Sequence, residues 1–328
     1  GYLVEDQRTD NLLVVARGDT INYFYLFGGK DERSEELIQG ITLAGIFFDE
    51  VALMPESFVN QGTGRCSVAG SKFWFNCNPE GPLHWFKRGW IDQCREKRLL
   101  YLHFTMEDNL SLAEEIKARY RSMYVGVFFQ RFILGLWRAA EGLIYDMYDE
   151  KLNGCGDKDL PGSYSRYIAV DYGTANPFAA LDIRDDGHTI FVAKEYYWDS
   201  KERQRQLEDS QYADAVEALI GQEQEDGVIV DPSAASFRAT MRNRGHVVTD
   251  ADNAVEDGIR RVATLIAHRR IRIHTSCTNI RRELSSYAWD AKAAERGVEK
   301  PEKVNDHALD ALRYYVKTKV KNWRLTDE

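Results

Sequence analysis

Apolar runs of strand length recur through the first hundred residues with little polar alternation: LLVVA (12–16), NYFYLF (22–27), TLAGIFF (42–48), KFWFNC (72–77) and RLLYLHF (98–104). Runs rich in β-branched and aromatic residues and apolar on both faces suit strands buried on both sides. The segments between them are long enough for crossover helices, so an α/β domain is expected. A helix is predicted from Ser111, as N-cap, through LAEEIKARYRSMY, followed by the densely apolar GVFFQRFILGLW. Residues 149–165 (DEKLNGCGDKDLPGSYS) are polar and punctuated by glycine and proline, and the domain boundary is placed there, between 1–148 and 166–328. A chain of 328 residues has material for two such cores.

Beyond that linker, RYIAVD (166–171), FAALDI (178–183) and TIFVAKE (189–195) are separated by the turn residues NP and DDG, which predicts an antiparallel meander. Helices near 207–220, 234–243 and 254–268, strands at 228–231 and 271–274 and two final helices extend it into a mixed sheet. No apolar run approaches the roughly 18 residues of a membrane span. Five scattered cysteines without a C-x-x-C pair argue against a disulfide framework and a structural zinc, and for a reducing cytosol. The opening GYLVEDQRTD, with neither methionine nor signal pattern, reads as the start of a fragment.

Two groups of acids carry the candidate chemistry. Asp49 and Glu50 close ITLAGIFFDE at the C-terminal end of an expected buried strand, where open α/β sheets place ligands. There an aspartate can organise a magnesium shell and a glutamate polarise water, although a pair of acids beginning a loop fits as well. The phosphate cradle such a site needs, G-x-x-x-x-G-K-[ST], is missing: Gly28-Gly29-Lys30 is followed by Asp31 and reads as a turn. The cradle is therefore expected upstream of Gly1. In the second group, Asp171 ends YIAVD, Asp231 ends VIVD, and Asp306, His307 and Asp310 lie in VNDHALDALRYYV. Helical spacing puts those three on one face, with Leu309, Leu312 and Val316 on the other. Taken singly, Asp171 suits a turn, Asp231 an Asx turn, Asp306 a first-turn carboxylate and His307 a surface position. Taken together, buried carboxylates at two strand ends and along a helix need partners, and a pair of divalent cations would supply them for phosphodiester hydrolysis.

The net charge of −9 hides a basic C-terminal stretch, with sixteen Lys and Arg against seven Asp and Glu from Gly258 to Thr326. A solvated helix surface is the alternative for the stretch as a whole; within it Arg269, Arg270, Arg272, Arg281 and Arg282 are the candidate phosphate contacts, the competing account being ion pairs with the acidic N-terminal half that fix the domain interface. On the phosphate-contact reading, reversing Arg281 and Arg282 lowers DNA affinity and leaves stability nearly unchanged.

In order, ITLAGIFFDEVALMPESFV, FWFNCNPEGPLHWFKRGWID, RFILGLW, DYGTANP, VDPSAASF and NDHALDALRY make the chain resemble the large terminase subunit of tailed bacteriophages, in its PBSX-type branch, over essentially its whole length. The resemblance implies a partial P-loop-type ATPase α/β domain followed by an RNase H-like mixed-sheet nuclease domain. It implies an ATP-driven motor that packages DNA and a metal-dependent endonuclease that cuts concatemeric double-stranded DNA. By that likeness Asp49 takes the Walker B metal role, Glu50 is the catalytic carboxylate, and Asn76 and Asn78 belong to the motif coupling hydrolysis to movement, with Asn78 at the nucleotide. Asp171, Asp231 and Asp310 match the nuclease metal ligands, with His307 and Asp306 beside them. The implied cofactors are two Mg²⁺ or Mn²⁺ ions, and ATP in a full-length protein. The implied partners are double-stranded DNA, a small terminase subunit, a portal or procapsid and further copies of the chain, in the cytoplasm of a bacterial host, with no membrane. The missing P-loop leaves the ATPase half of these 328 residues incomplete. A transposase or resolvase on a similar sheet, and a non-catalytic packaging adaptor, are the alternative readings.

Overall fold

Local turn chemistry builds the sheet on which the second group of acids sits. In the computed structural model, which describes residues 2–29, 31–173 and 176–321, β7 (Ser165–Asp171), β8 (Phe178–Asp185) and β9 (Ile190–Trp198) pair antiparallel, as their turn residues predict. At the second turn Asp185 Oδ1 accepts from Gly187 N at 2.8 Å, and Gly187 takes φ +90°, a conformation only glycine enters cheaply. Lys30, Thr174 and Ala175, which belong to the GGKD and DYGTANP motifs, lie outside the described residues.

The chain divides into two compact units, Gly1–Leu102 and His103–Glu328. In the second, α2 (Glu114–Ser122), α3 (Gly126–Phe132) and α4 (Glu150–Asn153) precede a seven-stranded sheet. Its remaining strands are β6 (Gly154–Cys155), β10 (Gly227–Val230), β11 (Val248–Asp250) and β12 (Ile271–His274), in the order β11-β10-β7-β8-β9-β12-β6. All pairings outside the β7–β9 meander are parallel. The helices α5 (Asp209–Ile220), α6 (Ala235–Asn243), α7 (Val255–Ala267), α8 (Thr278–Leu284), α9 (Ala291–Glu295) and α10 (His307–Lys319) complete the unit.

Period-two alternation sends side chains to two cores. Ala169, Leu181, Val192 and Ile229 pack with residues of α7, α8 and α10, while Ile168, Val170, Ala180 and Val228 pack with those of α5 and α6. The sheet is thus covered on both faces, which explains the unbroken apolar runs of its central strands. The segment 149–165 is not structureless: it contributes α4 and the edge strand β6, which no apolar run announces. The short β11 was likewise not expected, and three helices follow β12 rather than two.

In the first unit, β1 (Leu3–Gln7), β2 (Leu12–Arg17) and β3 (Thr20–Tyr25) form an antiparallel sheet, and β3 is exposed along its whole length. The expectation of strands buried on both sides therefore fails here, since apolar content alone does not say what covers a strand. The crossover expectation holds for β4 (Gly45–Phe48), α1 (Glu56–Arg65) and β5 (Lys72–Phe75), with β4 and β5 parallel. A Cβ at Gly62 of α1 would stand 2.8 Å from the Phe48 ring, so only glycine lets the helix approach β4 this closely. RLLYLHF forms no strand: it finds no ladder partner, and Leu100, Leu102 and Phe104 are exposed. Ser111 does not cap α2; Ala113 holds that position, and the Ser111 hydroxyl donates to Asn109 Oδ1 at 2.7 Å. No helix among the described residues is long and apolar enough to cross a membrane.

Candidate active site

Asp171 ends β7 and Asp231 follows β10, two neighbouring parallel strands, so their carboxylates leave the same end of the sheet. α10 packs along the face of β7, β8 and β10 with its N-terminus at that end, and it is buried on every side from Ala308 to Val316, not two-faced as its spacing predicts, because α7 and α8 also pack against it. A helix enclosed in this way offers side chains to the site from several faces, and Tyr314 is one of them. Its hydroxyl donates to Asp171 Oδ1 at 3.2 Å, and its nearness to Asp231 helps hold that carboxyl low. The charges of Asp171, Asp310 and Asp231, together with burial, raise its own pKa. Asp171 thus touches this phenol through a hydrogen bond, and Asp310 and Asp231 act on it through their charge.

Each acid has further partners. Asp171 Oδ2 stands 2.8 Å from His307 Nδ1. Burial raises the Asp171 pKa and the nearby Asp310 charge adds to this, against the opposing His307 and Tyr314 hydrogen bonds. Burial would lower the His307 pKa, but Asp171, Asp306 and Glu283 raise it on balance. For Asp231 burial pushes up, but hydrogen bonds from Ser233 and Asn253 and the nearby Tyr314 hydroxyl prevail and hold the carboxyl below its usual range. Its Oδ1 accepts from Ser233 N at 2.7 Å, the Asx turn left open by the sequence, while Oδ2 accepts from Asn253 Nδ2 at 3.2 Å. Asp310 Oδ1 accepts from Arg313 Nη2 at 2.8 Å. Asp306, at the N-cap of α10, does not cap it with its side chain. Its buried Oδ2 accepts no hydrogen bond but lies 3.4 Å from Lys303 Nζ, which is also 3.6 Å from Asp310 Oδ2.

Hard carboxylate oxygens of this kind suit Mg²⁺ or Mn²⁺. Two observations fit a cation here: a buried oxygen of Asp306 without a hydrogen bond, and an Asp171 carboxylate strained by burial and a like charge. The described residues nevertheless form no group of three or more His, Cys, Asp or Glu close enough to hold a metal as they stand, and His307, Arg313, Lys303 and Tyr314 engage the acids. His307 was named from the sequence and Arg313 follows Asp310 at i+3, whereas Lys303 and Tyr314 were not singled out there.

The first acid pair is built by a different device. Asn76, just past β5, donates from Nδ2 to Asp49 Oδ1 at 2.8 Å and accepts from Glu50 N at 2.6 Å. Its backbone carbonyl accepts from Val51 N at 2.9 Å. Glu50 takes φ +53°, so this single asparagine holds a strained turn and aims two exposed carboxylates. Asn78, two residues on, is exposed.

The arginines separate. β12 runs parallel to β9 and hence to β7, so Arg269 and Arg270 precede it at the end of the sheet opposite Asp171. Arg272 donates to Gly154 O at 2.7 Å and fastens β6. Arg281 pairs with Glu150 and donates to Thr275 O at 2.8 Å, while Arg282 is exposed. The structure therefore does not bring Arg269, Arg270 and Arg272 to the acids, and it gives Arg281 a bracing role. Arg281→Glu is expected to destabilise the chain by roughly 1–2 kcal/mol in urea melts, through lost hydrogen bonds and repulsion of Glu150. Arg282→Glu should stay within about 0.5 kcal/mol of the parent. Equal losses would contradict this division.

Residues 168–318 match the family model for the terminase RNaseH-like domain, and residues 7–152 that for the terminase large subunit, T4likevirus-type, N-terminal. Among solved structures, the large terminase of the thermophilic bacteriophage D6E is 53% identical, over 98% of this chain and 79% of that one, with a TM-score of 0.90. The D6E protein in complex with ADP is 52% identical over 98% and 80% of the two chains, with a TM-score of 0.90. Its complex with ATP-gamma-S is 51% identical over 98% and 79%, with a TM-score of 0.88. Comparison with curated proteins gives no match.

Proposed function

The chain belongs to the large-terminase family of bacteriophages, and from that membership we propose that its second half is a divalent-metal-dependent endonuclease cutting double-stranded DNA. The fold is mixed α/β, with an ATPase-type domain followed by an RNase H-like nuclease domain. The functional division falls at 149–165, between a motor part, 1–148, and a nuclease part, 166–328.

The observation that carries the nuclease reading is the placement of Asp171 and Asp231 at one end of two neighbouring parallel strands, with Tyr314 of α10 donating to Asp171 and the charges of Asp231 and Asp310 acting on the same phenol. In this reading those three hold the metal, with Asp306 and His307 at its margin. When bound, a pair of Mg²⁺ or Mn²⁺ ions supplies activation of the attacking water and charge stabilisation at the phosphodiester. His307 orients Asp171 through Nδ1, Arg313 fixes Asp310, and the Asx turn at Ser233 aims Asp231. The buried flank of α10 keeps these side chains in narrow rotamer wells, as a reacting geometry requires. Arg282, exposed on α8, is the basic candidate that remains for DNA at this end of the sheet. A manganese soak is the direct test: density for one or two cations among Asp171, Asp231 and Asp310 is expected, and a soaked crystal without it overturns the metal assignment.

In the motor part, Asp49 is assigned to the nucleotide's metal, Glu50 to the attacking water, and Asn78 to the nucleotide, with Asn76 coupling them by its grip on the Asp49–Glu50 turn. The ADP and ATP-gamma-S complexes of the D6E relative support ATP as the cofactor. The working partners of this reading are double-stranded DNA, a small subunit, a portal on a procapsid and further copies of the chain, in the host cytoplasm. These 328 residues contain no G-x-x-x-x-G-K-[ST], so the purified chain is expected to release no phosphate from ATP. Turnover near about one per second, abolished by Glu50→Gln, would show that another element serves as the cradle.

A further inference from the structure

Neither α8 nor α10 is capped by its own N-terminal side chain, and α10 begins at the candidate site. Carboxylates from other elements do this work. Glu195 of β9 accepts from Asn279 N at 2.7 Å and Ile280 N at 3.0 Å, at the start of α8. One helix further on, Glu283 of α8 accepts from Leu309 N at 3.0 Å in the first turn of α10, and from Tyr197 Oη of β9 at 3.0 Å. Glu283 is completely buried, and the mechanism above does not use it. Free helix N–H groups favour a negative charge, and a buried acceptor lost from them leaves donors unpaired.

The elements form a series: β9 holds α8 through Glu195, and α8 with β9 holds α10 through Glu283. α10 carries His307, Asp310, Arg313 and Tyr314, all of which engage the acid cluster. Leu309 is the immediate neighbour of Asp310, so the Glu283 anchor fixes both the axial position and the rotation of α10 where the site is built. We propose that Glu283 is a positioning residue of the nuclease site, setting the N-terminal turn of α10 and through it the placement of Asp310 and His307. This rests on the nuclease reading for its functional consequence, but the positioning itself does not.

Burial is also what makes this anchor conditional on its partners. It raises the Glu283 pKa to about 7, against the lowering by the Leu309 and Ala308 amides, Tyr197 and His307. A glutamine can accept from the α10 amides through its oxygen and donate to the Tyr197 oxygen through its nitrogen, whereas leucine can do neither.

The test compares Glu283→Leu, Glu283→Gln and the parent by amide hydrogen exchange of Ala308 and Leu309 and by calorimetric titration with Mn²⁺, both at a temperature where all are folded. Glu283→Leu is expected to speed exchange of that turn and to weaken Mn²⁺ binding by roughly 10–100-fold, the range for residues that orient metal ligands. Glu283→Gln should return both readouts to within about threefold of the parent, a rescue that a mere change of packing volume does not predict. Should Glu283→Leu fail to fold, Tyr197→Phe, which removes one donor and keeps the carboxylate, decides by the same readouts, with faster exchange at Leu309 expected. Unchanged exchange and unchanged Mn²⁺ affinity in the folded variant overturn the proposal. A parent chain that binds no Mn²⁺ overturns the metal reading instead, and the exchange arm still decides whether Glu283 sets α10.

Discussion

Asp171→Asn and Asp231→Asn are each expected to lower Mn²⁺-dependent cleavage of double-stranded DNA by roughly 10³-fold, which is about 4 kcal/mol of barrier, while the chain stays folded. The size follows from the proposed assignment of Asp171, Asp231 and Asp310 to the metal, under which removing any one charge weakens the hold on every cation placed there. The stability consequence has an unusual sign for a charged residue. Burial and the facing Asp310 already raise the Asp171 pKa, so its ionised form costs stability, and that cost appears as pH rises above the ordinary carboxylate range toward the raised value. Neutralising it in metal-free buffer should leave the Tm unchanged or raise it. Mn²⁺ should raise the Tm of the parent by mass action and leave that of Asp171→Asn where it was. Equal cleavage by the parent and both variants would sink the nuclease assignment.

The largest expected loss of stability lies far from the acids. Arg166, 2% exposed, forks onto the fully buried Asp182 of the adjacent strand, with Nε to Oδ1 at 3.0 Å and Nη2 to Oδ2 at 2.8 Å. The same guanidinium donates to Ile220 O at 3.0 Å and to Glu223 O, closing the C-terminal end of α5. Arg166→Met leaves the buried Asp182 with only Arg184 Nη2 at 3.9 Å and should cost roughly 3–5 kcal/mol, read as a shift of the urea midpoint followed by circular dichroism. Arg166→Met combined with Asp182→Leu should recover most of the loss, because an apolar pair of similar bulk replaces the ions without leaving a charge behind. A loss below about 1 kcal/mol for Arg166→Met would mean that water reaches Asp182 and that the pair does not secure the sheet.

Much of the nuclease fold was readable because its signals are local. The NP and DDG turns demand a meander, and helices at 209–220, 235–243 and 255–267 carry their own apolar periodicity. Where the signal is not local the reading failed. RLLYLHF has the composition of a strand and no partner to pair with, and β6 is two residues that become a strand only because β12 offers an edge. The five arginines form one group in sequence, yet strand direction sends Arg269 and Arg270 to the far end of the sheet from Asp171.

The sequence by itself determined the candidate residues and the family: acids at the ends of apolar runs, and a run of motifs that places the chain among the large terminases. It could do so because strand ends and motif order are properties of neighbouring residues. Only the tertiary structure decided what faces those acids. Tyr314, Lys303 and Glu283 carry no mark in the sequence, since their roles follow from the burial of α10 on all sides and from hydrogen bonds between elements distant along the chain. A carboxylate's charge state and aim depend on the few ångströms around it, and that surrounding exists only once α8, α10 and the sheet have packed together.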